Sequence, residues 1–131
     1  MKTIDVLIVV DVIGALAGSL SDNVYLVDTN KYAGSGSEGQ EELRTACQDG
    51  QVIRWRITPI SNSNDVEIVG FTGQIINENV CNPIKVPGVD GDHWEGRVET
   101  RGSTGDYQYS VNVTADGRQM TFDPFLVVKA S

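Results

Sequence analysis

Apolar and polar residues alternate along most of this chain with a period of two, and almost nowhere with the 3.6-residue period of a helix. Ile4, Val6, Ile8 and Val10 alternate with Thr3, Asp5, Leu7 and Val9, so the first segment is apolar on both faces and predicts a centrally placed strand. Val24 to Asp28 reads as a second strand. An Asp49-Gly50 turn leads into Val52 to Thr58, where Ile53, Trp55 and Ile57 share one face and Arg54 and Arg56 the other. The turn cluster Ser61 to Asp65 precedes a strand from Val66 to Phe71 that ends at Gly73, and Trp94 to Thr100 reads as a further short strand. The clearest local unit comes last. Tyr107, Tyr109, Val111 and Val113 alternate with Gln108, Ser110 and Asn112, Asp116-Gly117 supplies a hairpin turn, and Met120 to Val128 runs back. Pro124 inside that return predicts an edge position or a bulge at Asp123-Pro124, because proline cannot donate to a sheet ladder.

Strands joined by Gly, Asn and Asp turns at this spacing predict an all-β fold: one antiparallel β-sandwich domain over residues 1–131, with about seven or more strands. A parallel α/β sheet needs helical segments between its strands. Only Glu38 to Cys47 reads as one, so at most one short helix is expected.

Length and charge narrow the function classes. At 131 residues the chain can bury a sizeable core without metal or disulfide staples. Eighteen acidic against ten basic residues give a net charge of −8, and the Lys and Arg residues are scattered, which argues against nucleic acid and anionic membrane surfaces as partners. Lys2 precedes an apolar run that resembles a signal peptide. Asp5 and Asp11 bracket that run to Val6–Val10, shorter than the roughly seven to fifteen apolar residues of an export signal, so a buried strand in a cytoplasmic protein is the expectation. Cys47 and Cys81 fit no CxxC pattern and are expected as reduced, buried thiols.

Several spellings of chemical motifs occur. Gly34 to Gly39 matches G-x-G-x-x-G, but no strand–turn–helix unit encloses it, and a loop is the expectation. His93 is the one histidine and would need Asp90 or Asp92 as its orienting carboxylate in a Ser-His-Asp arrangement; no serine is placed beside it. Asp90-Gly91-Asp92 offers two carboxylates to calcium without the spacing of a calcium loop. Trp55, Trp94, Tyr107 and Tyr109 fall on core-facing positions rather than on a sugar-stacking platform, and Asn112-Val113-Thr114 spells a glycosylation sequon within a strand. Neither a catalytic constellation nor a metal or cofactor site is therefore expected. Binding residues, where present, are expected on the irregular segments Thr29 to Gln40 and Asn82 to Trp94, with Tyr32, Asp90, Asp92 and His93 as the candidates for a carbohydrate or other small ligand.

Ile4–Asp11, Asn23–Asp28, Cys47–Trp55, Tyr107–Val111 and Asp116–Phe125, with its Thr-Phe-Asp-Pro-Phe ending, make the chain resemble the PixA/AidA family of bacterial inclusion-body proteins. The resemblance spans nearly the whole chain. It implies a small, abundant, non-enzymatic cytoplasmic protein, made in late growth or under quorum-sensing control and linked to host association or virulence. The family has no agreed catalytic motif, so no residue role is carried over. Inclusion-forming members are methionine-rich, whereas this chain has only Met1 and Met120, which makes the AidA-like branch the closer match. The leading expectation is thus a self-associating β-sandwich, a homodimer before other oligomers, and a lectin-like module is the alternative. An enzyme built on His93 with Asp90 or Asp92 ranks behind both.

Overall fold

The first strand, β1 (Ile4–Val10), forms where β-branched residues recur every second position, and it buries Ile4, Val6, Ile8 and Val10 on one face. Its other face is not covered: Leu7 is 39% exposed, so the strand is central in its sheet but one-sided. This computed structural model describes residues 2–18, 23–30, 36, 42–88 and 91–130. Asp11 ends β1 and starts α1 (Val12–Ala17) by accepting a hydrogen bond from the Gly14 N–H at 3.1 Å. Next come β2 (Val24–Asp28), β3 (Arg44–Gln48), β4 (Val52–Pro59), β5 (Val66–Gly73), α2 (Gln74–Asn77) and β6 (Ile84–Val86). The chain finishes with β7 (His93–Arg97), β8 (Gly105–Ala115), β9 (Arg118–Phe122) and β10 (Phe125–Lys129).

Two sheets result, one ordered β2-β1-β4-β7-β6 and the other β3-β10-β8-β5, with β9 paired to β8. The all-β expectation holds, and two of its details are corrected. The sheets are mixed, because β1 pairs with β4 in parallel and β10 with β3 in parallel. There are also two short helices among the described residues, α1 and α2, neither of which lies at Glu38–Cys47. Within that stretch Arg44 to Cys47 belong to β3, where pairing with Phe125–Val128 overrides local helix preference. No helix among the described residues is long and apolar enough to cross a membrane.

The predicted hairpin forms, with its return split in two. β9 and β10 both lie along β8, and the break falls at Asp123-Pro124, where the Pro124 carbonyl accepts from the Tyr109 N–H at 3.0 Å. Neither the bulge nor the edge expectation is met: β9 and β10 keep one register along β8 across Asp123-Pro124, and β10 lies between β8 and β3. The core fills the space between the sheets around Trp55, whose Nε1–H donates to the Tyr109 hydroxyl at 3.1 Å. Phe71 stands 4.9 Å from Trp55 and 5.4 Å from Trp94, ring centre to ring centre. Tyr107 and Trp94 are only partly buried, in contrast to the fully buried Trp55 and Tyr109.

Two close approaches carry predictions. At Gly96 an added Cβ would sit 2.6 Å from Cys81 Sγ and 3.3 Å from the Pro83 backbone. Gly96→Ala is expected to destabilise the fold by about 1–3 kcal/mol through overpacking, read as a shift in the urea midpoint. Asp49 accepts from the N–H groups of Thr100 at 2.7 Å and Gly102 at 3.0 Å, and these bonds, Thr100 first, hold its carboxyl below the ordinary value of 3.8. A depressed folded pKa gives stability that is present above 3.8 and lost as pH falls through the folded value. Asp49→Asn should therefore destabilise at neutral pH, and the gap to the parent should close on acidification; a gap constant with pH would contradict the clamp.

Candidate functional site

Proline at 83 and at 87 bracket β6, and between them the alternation is short but complete. β6 pairs with β7 so that Lys85 lies opposite Trp94, while Ile84 and Val86 lie opposite Glu95 and His93. Lys85 and Trp94 therefore share the face that looks toward the second sheet. The Lys85 ammonium reaches Glu67 on β5 at 3.4 Å and Asp92 at 3.3 Å, joining the two sheets and the loop before β7. Asp92 first, then Glu67, hold the Lys85 ammonium above the ordinary lysine range. Around this bridge lies a cleft of about 700 Å³. Trp55, Ile57, Val66, Ile68 and Trp94 form its apolar part, Glu67, Lys85, Asp92 and His93 its polar part, and Gly88 and Gly91 border it, while Arg56 adjoins it from β4 with its guanidinium directed to Asp5 on the outer face.

Of the four sequence candidates, Asp92 and His93 line this cleft; Tyr32 and Asp90 lie outside the described residues. The segment Asn82–Trp94 is less irregular than expected, because it contains β6. His93 Nε2 lies 3.5 Å from Glu95 Oε1, while Asp92 is engaged by Lys85. Glu95 also accepts from Arg54 at 2.9 Å, and Arg54 first, then His93, hold its carboxyl below the usual glutamate range. Neither serine nor cysteine lines the cleft among the described residues. No group of three or more His, Cys, Asp or Glu side chains suited to a metal ion occurs among them either. The G-x-G-x-x-G spelling falls outside the described residues apart from Gly36, which bridges to Arg44 as a strand would.

Cys47 and Cys81 are free and buried. Burial first, then the Asp28 carboxylate, pushes the Cys47 thiol up to about 12; burial first, then Cys47 and Glu99, does the same for Cys81. Both are expected to resist a disulfide-exchange reagent at pH 8 and to label only as fast as the protein opens, faster in sub-denaturing urea. Rapid labelling of either thiol in the folded protein would contradict this burial.

A second surface is apolar and open. β1 and β2 pair so that Leu7 lies opposite Val27 and Val9 opposite Tyr25, all on the side away from the core. Tyr25 is 44% and Val27 41% exposed, and no described strand pairs with the outer edge of β2. An uncovered cross-strand apolar block beside such an edge is unusual on a sheet whose remaining outer face carries Arg54, Arg56, Glu95 and Arg97.

The model of the family described as a domain of unknown function (DUF8788) matches residues 2–121, and the chain belongs to that family. Its fold is similar to the crystal structure of the inclusion body protein PixA from Burkholderia cenocepacia J2315. The TM-score is 0.74 at 15% identity, over 99% of this chain and 95% of that one. An endo-fucoidan hydrolase of glycoside hydrolase family 107 matches with a TM-score of 0.43 and 10% identity, over 86% of this chain and 18% of that one, too distant to bear on fold or function. No curated protein matches the chain by sequence.

Proposed function

We propose that this DUF8788 member with a PixA-like fold is a non-enzymatic, cytoplasmic protein of the AidA-like type that works as a self-associating homodimer. One observation carries the reading. Leu7, Val9, Tyr25 and Val27 form a continuous apolar block on the outer face of β1 and β2, next to a strand edge with which no described strand pairs. A second copy of the same block is its natural cover, since a two-fold pairing sets one patch against itself and closes the assembly at two subunits. The regulatory side of the reading, a quorum-sensing-controlled product linked to host association, rests on resemblance to the AidA branch. The non-enzymatic part is supported by the commitments of the titratable groups, with His93 against Glu95 and Asp92 against Lys85.

Light scattering on the 14.2 kDa chain tests the self-association. Twice that mass is expected at tens of micromolar, roughly the range of ordinary weak dimers. Monomer mass up to about 100 µM would overturn the proposal. Salt separates apolar from ionic pairing. Each copy carries a net charge of −8, so adding salt from about 20 to 200 mM should strengthen an apolar dimer by screening the repulsion between copies. A dimer held by ion pairs would weaken instead.

A further inference from the structure

We propose that the cleft between β5 and the β6–β7 pair binds a neutral sugar ring, stacked on Trp94 and held at its hydroxyls by Lys85, Asp92 and Glu67. Volume sets the class first. About 700 Å³ lies in the middle of the range for small-molecule sites and accommodates one or two sugar rings. Charge sets it next. The Lys85 ammonium stands between the Glu67 and Asp92 carboxylates, so the cleft repels a free anion while its carboxylates already have a cation between them. A neutral ligand rich in hydroxyls matches that balance, since each hydroxyl both donates and accepts.

The polar groups are also left with capacity. The Lys85 contacts, at 3.3 and 3.4 Å, are longer than the 2.7–2.9 Å of a tight charge-assisted hydrogen bond. Both carboxylates keep acceptor sites beyond the one each gives to Lys85, and the ammonium has three donors. All three side chains are between 42% and 63% exposed, so a ligand reaches them without opening the core. The apolar wall is held in place, because Trp94 packs on Phe71, which packs on Trp55, and Trp55 is hydrogen-bonded to Tyr109. A rigid indole beside a few convergent polar groups can take the apolar face of a pyranose while those groups read its edge. The cleft lies at the β6 end of its sheet and the apolar block at the β2 end, so the two proposals are compatible and fail separately.

Amide and indole NMR shifts test the site, using the full chain and, one at a time, glucose, galactose, mannose, fucose and N-acetylglucosamine up to about 100 mM, enough to reveal millimolar affinity. At least one sugar should move the Trp94 indole N–H and the Lys85 and Gly91 amides in a saturable way. Lys85→Ala and Asp92→Asn, both at exposed positions, should each weaken that binding by about tenfold while the melting temperature stays unchanged. Three results would each overturn the proposal: no sugar moving those signals, inorganic phosphate moving them where sugars do not, or sugar shifts that survive both substitutions undiminished.

Discussion

Trp55→Ala is expected to lower the unfolding free energy by about 3–5 kcal/mol, a large share of the roughly 5–15 kcal/mol that a domain of this size has in total. Trp55 is completely buried at the centre of β4, packed on Phe71 and on the edge of Tyr109, and the substitution leaves a cavity that these rings cannot close without leaving their own contacts. The loss goes beyond volume. The Tyr109 hydroxyl, also fully buried, would lose the indole N–H that donates to it at 3.1 Å. Burial already pushes the Tyr109 phenol above its ordinary range, so ionisation offers no relief. Urea unfolding followed by far-UV circular dichroism measures the effect. Trp55→Phe, which keeps an aromatic ring and gives up the hydrogen bond, should fall between parent and alanine variant. A loss below about 1 kcal/mol for the alanine variant would mean that the two sheets do not close on this ring.

Val27→Asp is the matching prediction for the surface. It should raise the dissociation constant of the dimer by about 100-fold or more, because two carboxylates related by symmetry would face an apolar patch without partners. Stability of the single chain should change by no more than about 1 kcal/mol, since Val27 is 41% exposed and the cost is mainly one of strand preference. Val69→Asp is the control. Val69 is 47% exposed on β5, in the other sheet, so its replacement should leave association intact while adding the same charge.

Much of this architecture is legible in the chain because its strands are amphipathic. The alternation of Val52–Thr58 puts Ile53 and Trp55 in the core and Arg54 and Arg56 outside, as found. Asp116-Gly117 makes the hairpin turn, with Asp116 at φ 48° and Gly117 at φ 84°, the left-handed conformations that such a turn demands. Parallel pairing of β1 with β4 and of β3 with β10 is not legible, because it joins segments distant in sequence and local pattern does not encode the partner. Arg44–Gln48 has residues compatible with a helix and becomes a strand only because β10 offers it a ladder. At the cleft, the loop reading found Asp92 and His93 and missed Lys85, Glu67 and the partial exposure of Trp94. A signal for Lys85 was present: Ile84-Lys85-Val86 alternates, but Pro83 and Pro87 disguise a three-residue strand as a loop. The apolar run of β1 reads as buried on both faces, and the same residues, Leu7 and Val9, prove to be half of the open surface.

Hydrogen–deuterium exchange of the intact protein at two concentrations, one below and one well above the dimer dissociation constant, tests the self-association surface most directly. Protection of the amides from Val24 to Asp28 and of Leu7 and Val9 should rise at the higher concentration, while amides of β5 and β9 in the other sheet should exchange at the same rate in both samples. Exchange at β1 and β2 that does not depend on concentration, or protection that rises on the opposite sheet, would contradict the assignment of this face as the site of self-association.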